Sequence, residues 1–255
     1  MKALLGPRGK KLRTLERIFV ADGLQSIRSA LVPHVTSAPI IDSLYLTDTG
    51  YEKIRLEFAQ EIIDRHEVIM VTDQVMNAMA DTQTPQGMLA LCKYLPTDLN
   101  RFSAPTQNKS LKRVAYFWQI QDPGNAGTAI RTADACGFDL VIFSDQSVDI
   151  YSPKVVRSTV GSLWNIPIIN DVSIDQLELF SYEHDLALVA LDGSADHNFS
   201  DIDTSLPTVL VFGNEGHGLP ELAPAFQRVS IPMHGHAESF NVASAAAIAM
   251  YFLSI

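Results

Sequence analysis

The chain has 255 residues, 47% of them hydrophobic and 19% charged, and carries a formal net charge of -10. That length fits one large domain or two modest ones of ~100–150 residues, and the ordinary balance excludes a disordered or low-complexity protein. The acidity excludes a protein that coats nucleic acid non-specifically, because phosphate binding is driven by Lys and Arg.

The opening stretch, "MKALLGPRGKKLRTLER", sets Lys2, Arg8, Lys10, Lys11, Arg13 and Arg17 against one acid, Glu16. It lacks the apolar core of a secretory signal, so a cytoplasmic protein is expected. Further basic residues gather at Arg101, Lys109, Lys112 and Arg113. The two groups read either as a local basic patch on an acidic surface or as solvated termini and linkers. Cys92 and Cys136 are far apart and in no metal-ligand spacing, so neither a disulfide nor a metal site is expected.

Residues 15–31 read as helical, 40–46 as a strand, 52–65 as an amphipathic helix, 67–72 as a strand, 73–80 as a short helix and 87–94 as a strand. Together they make a small α/β unit over residues 1–95. The stretch 96–110, "PTDLNRFSAPTQNKS", is rich in Pro, Ser, Thr and Asn without periodicity and is the expected linker.

From Leu111 onward, apolar runs alternate with helical segments: "VAYFWQI", "LVIF", a run that follows Asn165 and ends at Ile169, "LALVAL", "TVLVF" and "VSIP". Runs apolar on both alternations are those of strands buried on both faces of a parallel sheet, so residues 111–255 are expected to form an α/β domain of about six strands. Ligands of such sheets bind beyond the carboxyl ends of the strands, which directs attention to three loops.

The first, "QDPGNAGTAIRTADACGF", offers Asn125 as a helix N-cap. Ala126, Ala129, Ile130 and Ala133 form the buried stripe of its helix, and Arg131 lies about 100° off that stripe. The segment reads as an ordinary capped helix or as one whose Arg131 reaches a ligand; its glycines do not match the dinucleotide fingerprint G-x-G-x-x-G. The second loop, "GNEGHGLPEL", has glycines at 213, 216 and 218 around Asn214 and Glu215. It reads as a tight turn or as exposed backbone N–H groups facing a ligand, with Pro220 starting a short helix. The third, "MHGHAESF", carries His234 and His236 without a third ligand and runs into "SFNVASAAAIAM".

The helix from Asn241 is apolar on two faces. Val242, Ala245, Ala246, Ala249 and Leu253 form one; Ala243, Ala247, Ile248 and Tyr251 form the other. It is shorter and more polar than a membrane span of ~20 apolar residues. A second copy of the protein in a C2 homodimer, or the chain itself, would cover it.

Asn125, Gly127 and Arg131, then "VFGNEGHGL", then "IPMHGHAESFNVASAAA" resemble, in that order, the three motifs of the SpoU/TrmH family of RNA ribose 2′-O-methyltransferases, within the SPOUT superfamily. "VADGLQSIRSAL" and "TPQGMLAL" are similar to the family's N-terminal substrate-binding domain, of the ribosomal protein L30e fold. The resemblance implies a C-terminal trefoil knot that holds S-adenosylmethionine, a fold that connection rules would have excluded. It implies cofactor contacts at Gly213, Ile231, Met233, Phe240 and Ala243, with Phe240 standing where the motif usually has Leu. It implies catalytic or orienting roles for Arg131, Asn125, Glu215, Ser239 and Asn241. It also implies a homodimer acting on RNA, with ribosomal RNA of the large subunit foremost and transfer RNA the alternative. An RNA-binding module without catalysis, a base methyltransferase and an NAD-type nucleotide-binding enzyme are the rival readings.

Overall fold

The computed structural model describes residues 1–6, 8–96, 99 and 111–255, so the expected linker lies outside the described residues except for Pro96 and Leu99. The chain forms two compact units, Met1–Pro96 with Asp149–Asn165, and Thr97–Val148 with Ile166–Ile255.

In the first unit a four-stranded sheet has the order β1-β4-β2-β3, with β1 Ile18–Asp22, β2 Ile41–Leu46, β3 Glu67–Met70 and β4 Met88–Lys93. β4 runs antiparallel to β1 and β2, while β2 and β3 are parallel. The helix expected over 15–31 is two elements, β1 and a helix Leu24–Leu31. Phe19, Val20 and Ala21 are consecutively buried, a pattern no amphipathic helix provides, and Gly23 at φ 89 turns the chain between the two. The helix expected over 52–65 is likewise two, Asp48–Arg55 and Gln60–Ile63. The first starts at Thr47, whose hydroxyl accepts from the Gly50 N–H, and extended Ala59 separates them.

This unit is not contiguous in sequence, because it takes in Asp149–Asn165. That segment contributes a helix, Pro153–Ser158, and a 3-10 turn, Ser162–Trp164. Its aromatic rings supply much of the packing. Tyr151 stacks on Tyr94 with centroids 3.8 Å apart and Trp164 stacks on Phe19 at 6.1 Å. The Tyr151 hydroxyl also accepts from the Leu95 N–H at 3.1 Å. Buried aromatic surface and a satisfied hydroxyl explain why the segment belongs here.

The second unit is built on a six-stranded sheet of order β10-β8-β9-β5-β6-β7, every pairing parallel. Its strands are β5 Arg113–Phe117, β6 Leu140–Phe143, β7 Ile168–Ile169, β8 Ala187–Leu191, β9 Thr208–Phe212 and β10 Phe226–Val229. β6 and β9 are buried at every residue, as strands covered on both faces must be. The order reverses beside β5: β6 and β7 continue to one side, whereas β8, β9 and β10 fill the other. Phe117, Phe143 and Phe212 stack across the carboxyl ends of β5, β6 and β9.

The last strand differs from its expectation. β10 is Phe226–Val229 rather than "VSIP", with Phe226 and Val229 buried and the two residues between them exposed. It is an edge strand, paired with β8 alone, and Pro232 has no N–H to extend it. The C-terminal helix Val242–Ser254 packs on the helix Pro123–Ala135 and on β9, with Ala246 and Ala249 fully buried. Ala243, read as part of the second apolar face, joins that covered side, while Ile248 and Tyr251 of that face are 42% and 62% exposed.

Candidate cofactor and active site

Beyond the carboxyl ends of β8 and β9 lies a cavity of about 420 Å³, within the range of ~300–1,000 Å³ usual for small-molecule sites. Four pieces of chain wall it. Leu191 ends β8 and Asp192 and Gly193 follow it; Phe212 ends β9 and Gly213, Asn214 and Glu215 follow it; Ile231 and Met233 follow β10; and Glu238 to Val242 lead into the C-terminal helix.

The loop after β9 is folded back on itself. The Asn214 N–H donates to the Gly218 carbonyl at 2.8 Å and the Gly218 N–H returns to the Asn214 carbonyl at 3.0 Å. The Asn214 side chain accepts from the Gly216 and His217 N–H groups and donates to the Gln119 carbonyl at 2.7 Å, which ties this loop to the one after β5. The fold-back requires glycine at 213, where a Cβ would lie 2.6 Å from the Gly218 carbonyl carbon. No helix begins at Pro220; residues 219–223 lack regular structure, because the loop's hydrogen bonds run back to Asn214 rather than forward.

The helix Pro123–Ala135 is capped by Asp122, not by Asn125 as expected: Asp122 accepts from the Asn125 N–H at 2.9 Å. Pro123 at the first helical position places the cap one residue before it. Asn125 is thereby inside the first turn, with its side chain available to another partner. Its Nδ2 donates to Glu215 Oε1 at 3.1 Å and its Oδ1 accepts from Asn241 Nδ2 at 3.0 Å. The Asn241 Oδ1 accepts the Ala243 and Ser244 N–H groups and so caps the C-terminal helix. At the other end Glu215 Oε2 accepts from the Gln121 N–H at 3.4 Å.

The polarity of this chain of bonds is fixed at both ends. A carboxylate only accepts, and a helix N-terminus only donates. Each of the two amides between them can therefore be satisfied in one orientation alone.

Ser239 lines the cavity beside Phe240, and Phe240 is 42% exposed. Gly213, Ile231, Met233 and Phe240 all line it, whereas Ala243 is buried on the first helical turn and does not. Arg131 is exposed on the helix Pro123–Ala135 and does not line the cavity. The structure thus brings together Asn125, Glu215, Ser239 and Asn241, with Arg131 about two turns along the same helix as Asn125.

Sequence reasoning missed the loop after β8. Asp192 is held at the cavity wall by Arg228 and by the Ser194 N–H and hydroxyl, both on Asp192 Oδ1. Burial alone would raise its carboxyl, but these donors outweigh it and hold it below the ordinary carboxylate value. The signal available was "LDG" at a parallel strand's carboxyl end, where a ligand is expected. Among the described residues no cluster of three or more His, Cys, Asp or Glu is placed to hold a metal, and no helix is long and apolar enough to cross a membrane.

A parallel α/β unit with a glycine-framed cavity at its strand ends defines a nucleotide- or cofactor-binding enzyme of the open-sheet class. Comparison with known proteins narrows this. Residues 112–251 match the model of the SpoU rRNA Methylase family and residues 1–90 that of the MRM3-like substrate binding domain. The chain belongs to the SpoU rRNA methylase family. It is 32% identical over 251 residues to the 23S rRNA (guanosine(2553)-2′-O)-methyltransferase RlmP of Bacillus subtilis, covering 96% of this chain and 91% of that protein. It is also 32% identical over 257 residues to the 23S rRNA (uridine(2479)-2′-O)-methyltransferase of Streptomyces viridochromogenes, covering 98% and 86%. Among solved structures, the SpoU methyltransferase AviRb of Streptomyces viridochromogenes in complex with the cofactor AdoMet superposes with a TM-score of 0.80 at 30% identity, over 99% of this chain and 95% of that one.

Proposed function

We propose that the protein transfers a methyl group from S-adenosylmethionine to a ribose 2′-hydroxyl of 23S ribosomal RNA. The observation that carries this reading is the cavity closed by the Gly213 loop and by Ser239–Asn241, with Asn241 bonded through Asn125 to Glu215. The cofactor fits the donor set: apolar walls from Leu191, Phe212, Ile231, Met233 and Phe240, and a cradle where a side chain at Gly213 would strike backbone. Gly213, Ile231, Met233 and Phe240 would hold it, with Ala243 acting from behind through the helix start. The knotted threading of this family is part of the same proposal, supported by the similarity to the AdoMet-bound AviRb.

The bound cofactor supplies a methyl group already activated by its sulfonium. What the chain must add is alignment, which can supply ~7–11 kcal/mol of the barrier, and an exit to water for the proton that the 2′-hydroxyl loses on methylation. Ser239 and Asn241 orient the ribose or its phosphate at the cavity mouth, and Asn125 and Glu215 fix Asn241. Arg131 binds the neighbouring phosphate or the developing alkoxide; a guanidinium holds its proton in proteins and is no general base. Ile248, Tyr251 and Ile255, 42%, 62% and 85% exposed, supply the apolar face of a homodimer, and the protein works in the cytoplasm.

The test is incubation of the purified protein with radiolabelled S-adenosylmethionine and 23S ribosomal RNA, followed by nuclease digestion and mass spectrometry. A 2′-O-methylated nucleotide is expected. A methyl on a base, label on transfer RNA alone, or NAD binding in place of S-adenosylmethionine would each overturn the reading.

A further inference from the structure

The six basic residues of the first 17 occupy two kinds of site. Arg13 is 4% exposed. Its guanidinium donates to the Leu4 carbonyl and, through Nε at 3.1 Å and Nη2 at 2.6 Å, to Asp149 Oδ2. It therefore ties the helix Gly9–Glu16 to the helix Lys2–Leu5 on one side and to the Asp149 segment of the same unit on the other. Gly9 lets the two helices meet, since a Cβ there would strike the Leu4 carbonyl oxygen. Chain termini are loose unless tied down, and this one is tied by a buried ion pair.

The other five, Lys2, Arg8, Lys10, Lys11 and Arg17, are exposed, and none makes an ion pair with a described residue. They share this with Lys53 and Arg65 of the same unit, whereas Arg28, Arg55, Lys93 and Arg157 are each paired with a carboxylate. At 3.6 residues per turn, Lys11 and Thr14 fall on the side of their helix away from buried Gly9 and Arg13, and Lys10 flanks that buried side. Arg17, just past the helix end, lies over the Tyr94 ring at 4.8 Å. An acidic protein has thus anchored a cluster of uncompensated positive charge in place.

We propose that this anchored basic face docks the phosphate backbone of the RNA substrate. The inference rests on the RNA methyltransferase reading and adds the surface of the first unit that grips the RNA. Such contacts fix position on the RNA without reading its sequence.

Each phosphate that the protein no longer neutralises lowers the slope of log affinity against log salt by about 0.7–0.9. The variant K2Q/R8Q/K10Q/K11Q should therefore flatten the slope for protein-free 23S ribosomal RNA, measured by filter binding, by about 3. The double variant K10Q/K11Q, changed at two exposed helix positions, should flatten it by about half as much. S-adenosylmethionine affinity by calorimetry should stay at the wild-type value in both, and K2R/K10R/K11R should keep the wild-type slope. Wild type that binds the RNA with a slope the glutamine variants share would overturn the docking face alone. Wild type with no affinity for the RNA would overturn the docking face and the proposed function together.

Discussion

Asn241 does two jobs with two atoms, and Asn241→Asp separates them. The Oδ1 side caps the helix Val242–Ser254 through the Ala243 and Ser244 N–H groups, and the Nδ2 side donates to Asn125. Asp is as good an N-cap as Asn, and its charge at a helix N-terminus is favourable by about 0.3–1 kcal/mol. Against that stands one lost hydrogen bond worth about 0.5–1.5 kcal/mol, at the low end because water reaches the site. The two terms nearly cancel, so the melting temperature should stay within about 3 °C of wild type. The network is not spared. Asn125 would stand between two carboxylates, Asp at 241 and Glu215, and whichever way its amide turned, an oxygen would face one of them. Loss of the amide's fixed orientation misplaces the substrate oxygen, and a misplacement of about 1 Å can cost about 100-fold in kcat/KM. Radiolabel transfer to 23S ribosomal RNA, run beside a thermal melt, measures both, with Asn241→Ala as the comparison that loses cap and network together. Wild-type turnover in the Asp variant would refute the idea that the Glu215–Asn125–Asn241 chain positions the substrate. A melt lowered as far as that of the Ala variant would refute the separation of the two jobs.

Four other outcomes follow from the same geometry. Gly213→Ala places a methyl 2.6 Å from the Gly218 backbone and should weaken S-adenosylmethionine binding by about 5–150-fold, the equivalent of about 1–3 kcal/mol of overpacking, while Gly235→Ala, with nothing within 4 Å, leaves calorimetric affinity intact. Arg131→Ala should keep cofactor affinity and melting temperature but lose methyl transfer, and Arg131→Lys should restore little, since a lysine cannot grip a phosphate bidentately. Tyr251→Glu should convert a dimer to a monomer in sedimentation velocity, and a dimer in both would place the interface elsewhere. The Asp192 carboxyl is held below its ordinary value, so its stabilising contribution is present above pH about 4 and lost as the pH falls through its lower folded value; Arg228→Gln should therefore raise the pH of acid unfolding, followed by circular dichroism.

The second unit was legible because its strands are apolar on both faces and the loops after them hold glycines and polar side chains in recognisable motifs. "LVIF" and "TVLVF" are strands as read, and the loops after β5, β9 and β10 bring Asn125, Glu215, Ser239 and Asn241 together. What was illegible has a common physical origin in long-range packing. Asn125 reads as a cap because the side chain that outcompetes it, Asp122, differs only in standing just before a proline. Residues 15–31 read as a helix because burial of Phe19, Val20 and Ala21 depends on the sheet that receives them. Nothing local distinguishes Asp149–Asn165 from its neighbours, since its place is decided by Tyr94, Phe19 and Arg13, all distant along the chain. The role of "LDG" after β8 was lost for the opposite reason: the tripeptide is common, and only the strand order puts it beside Gly213.

Three carboxylates line the cavity, and two of them are committed to other partners, while Glu238 makes no hydrogen bond or ion pair with a described residue. Glu215 is committed to Asn125 and the Gln121 N–H, and Asp192 to Ser194 and Arg228. Either would have to break those bonds to take a proton, and Asp192, held below the ordinary carboxylate value, is further still from a base poised near neutral pH. A guanidinium is no general base in a protein. The amides and the glycine loop share a different property: each is tied so that its orientation is settled before a ligand arrives, the amides by the fixed polarity of their chain and the loop by its two backbone bonds. A donor that already carries a good leaving group needs its acceptor oxygen placed in line more than it needs a strong base, and fixed donors and acceptors perform that task without reorganising during the reaction.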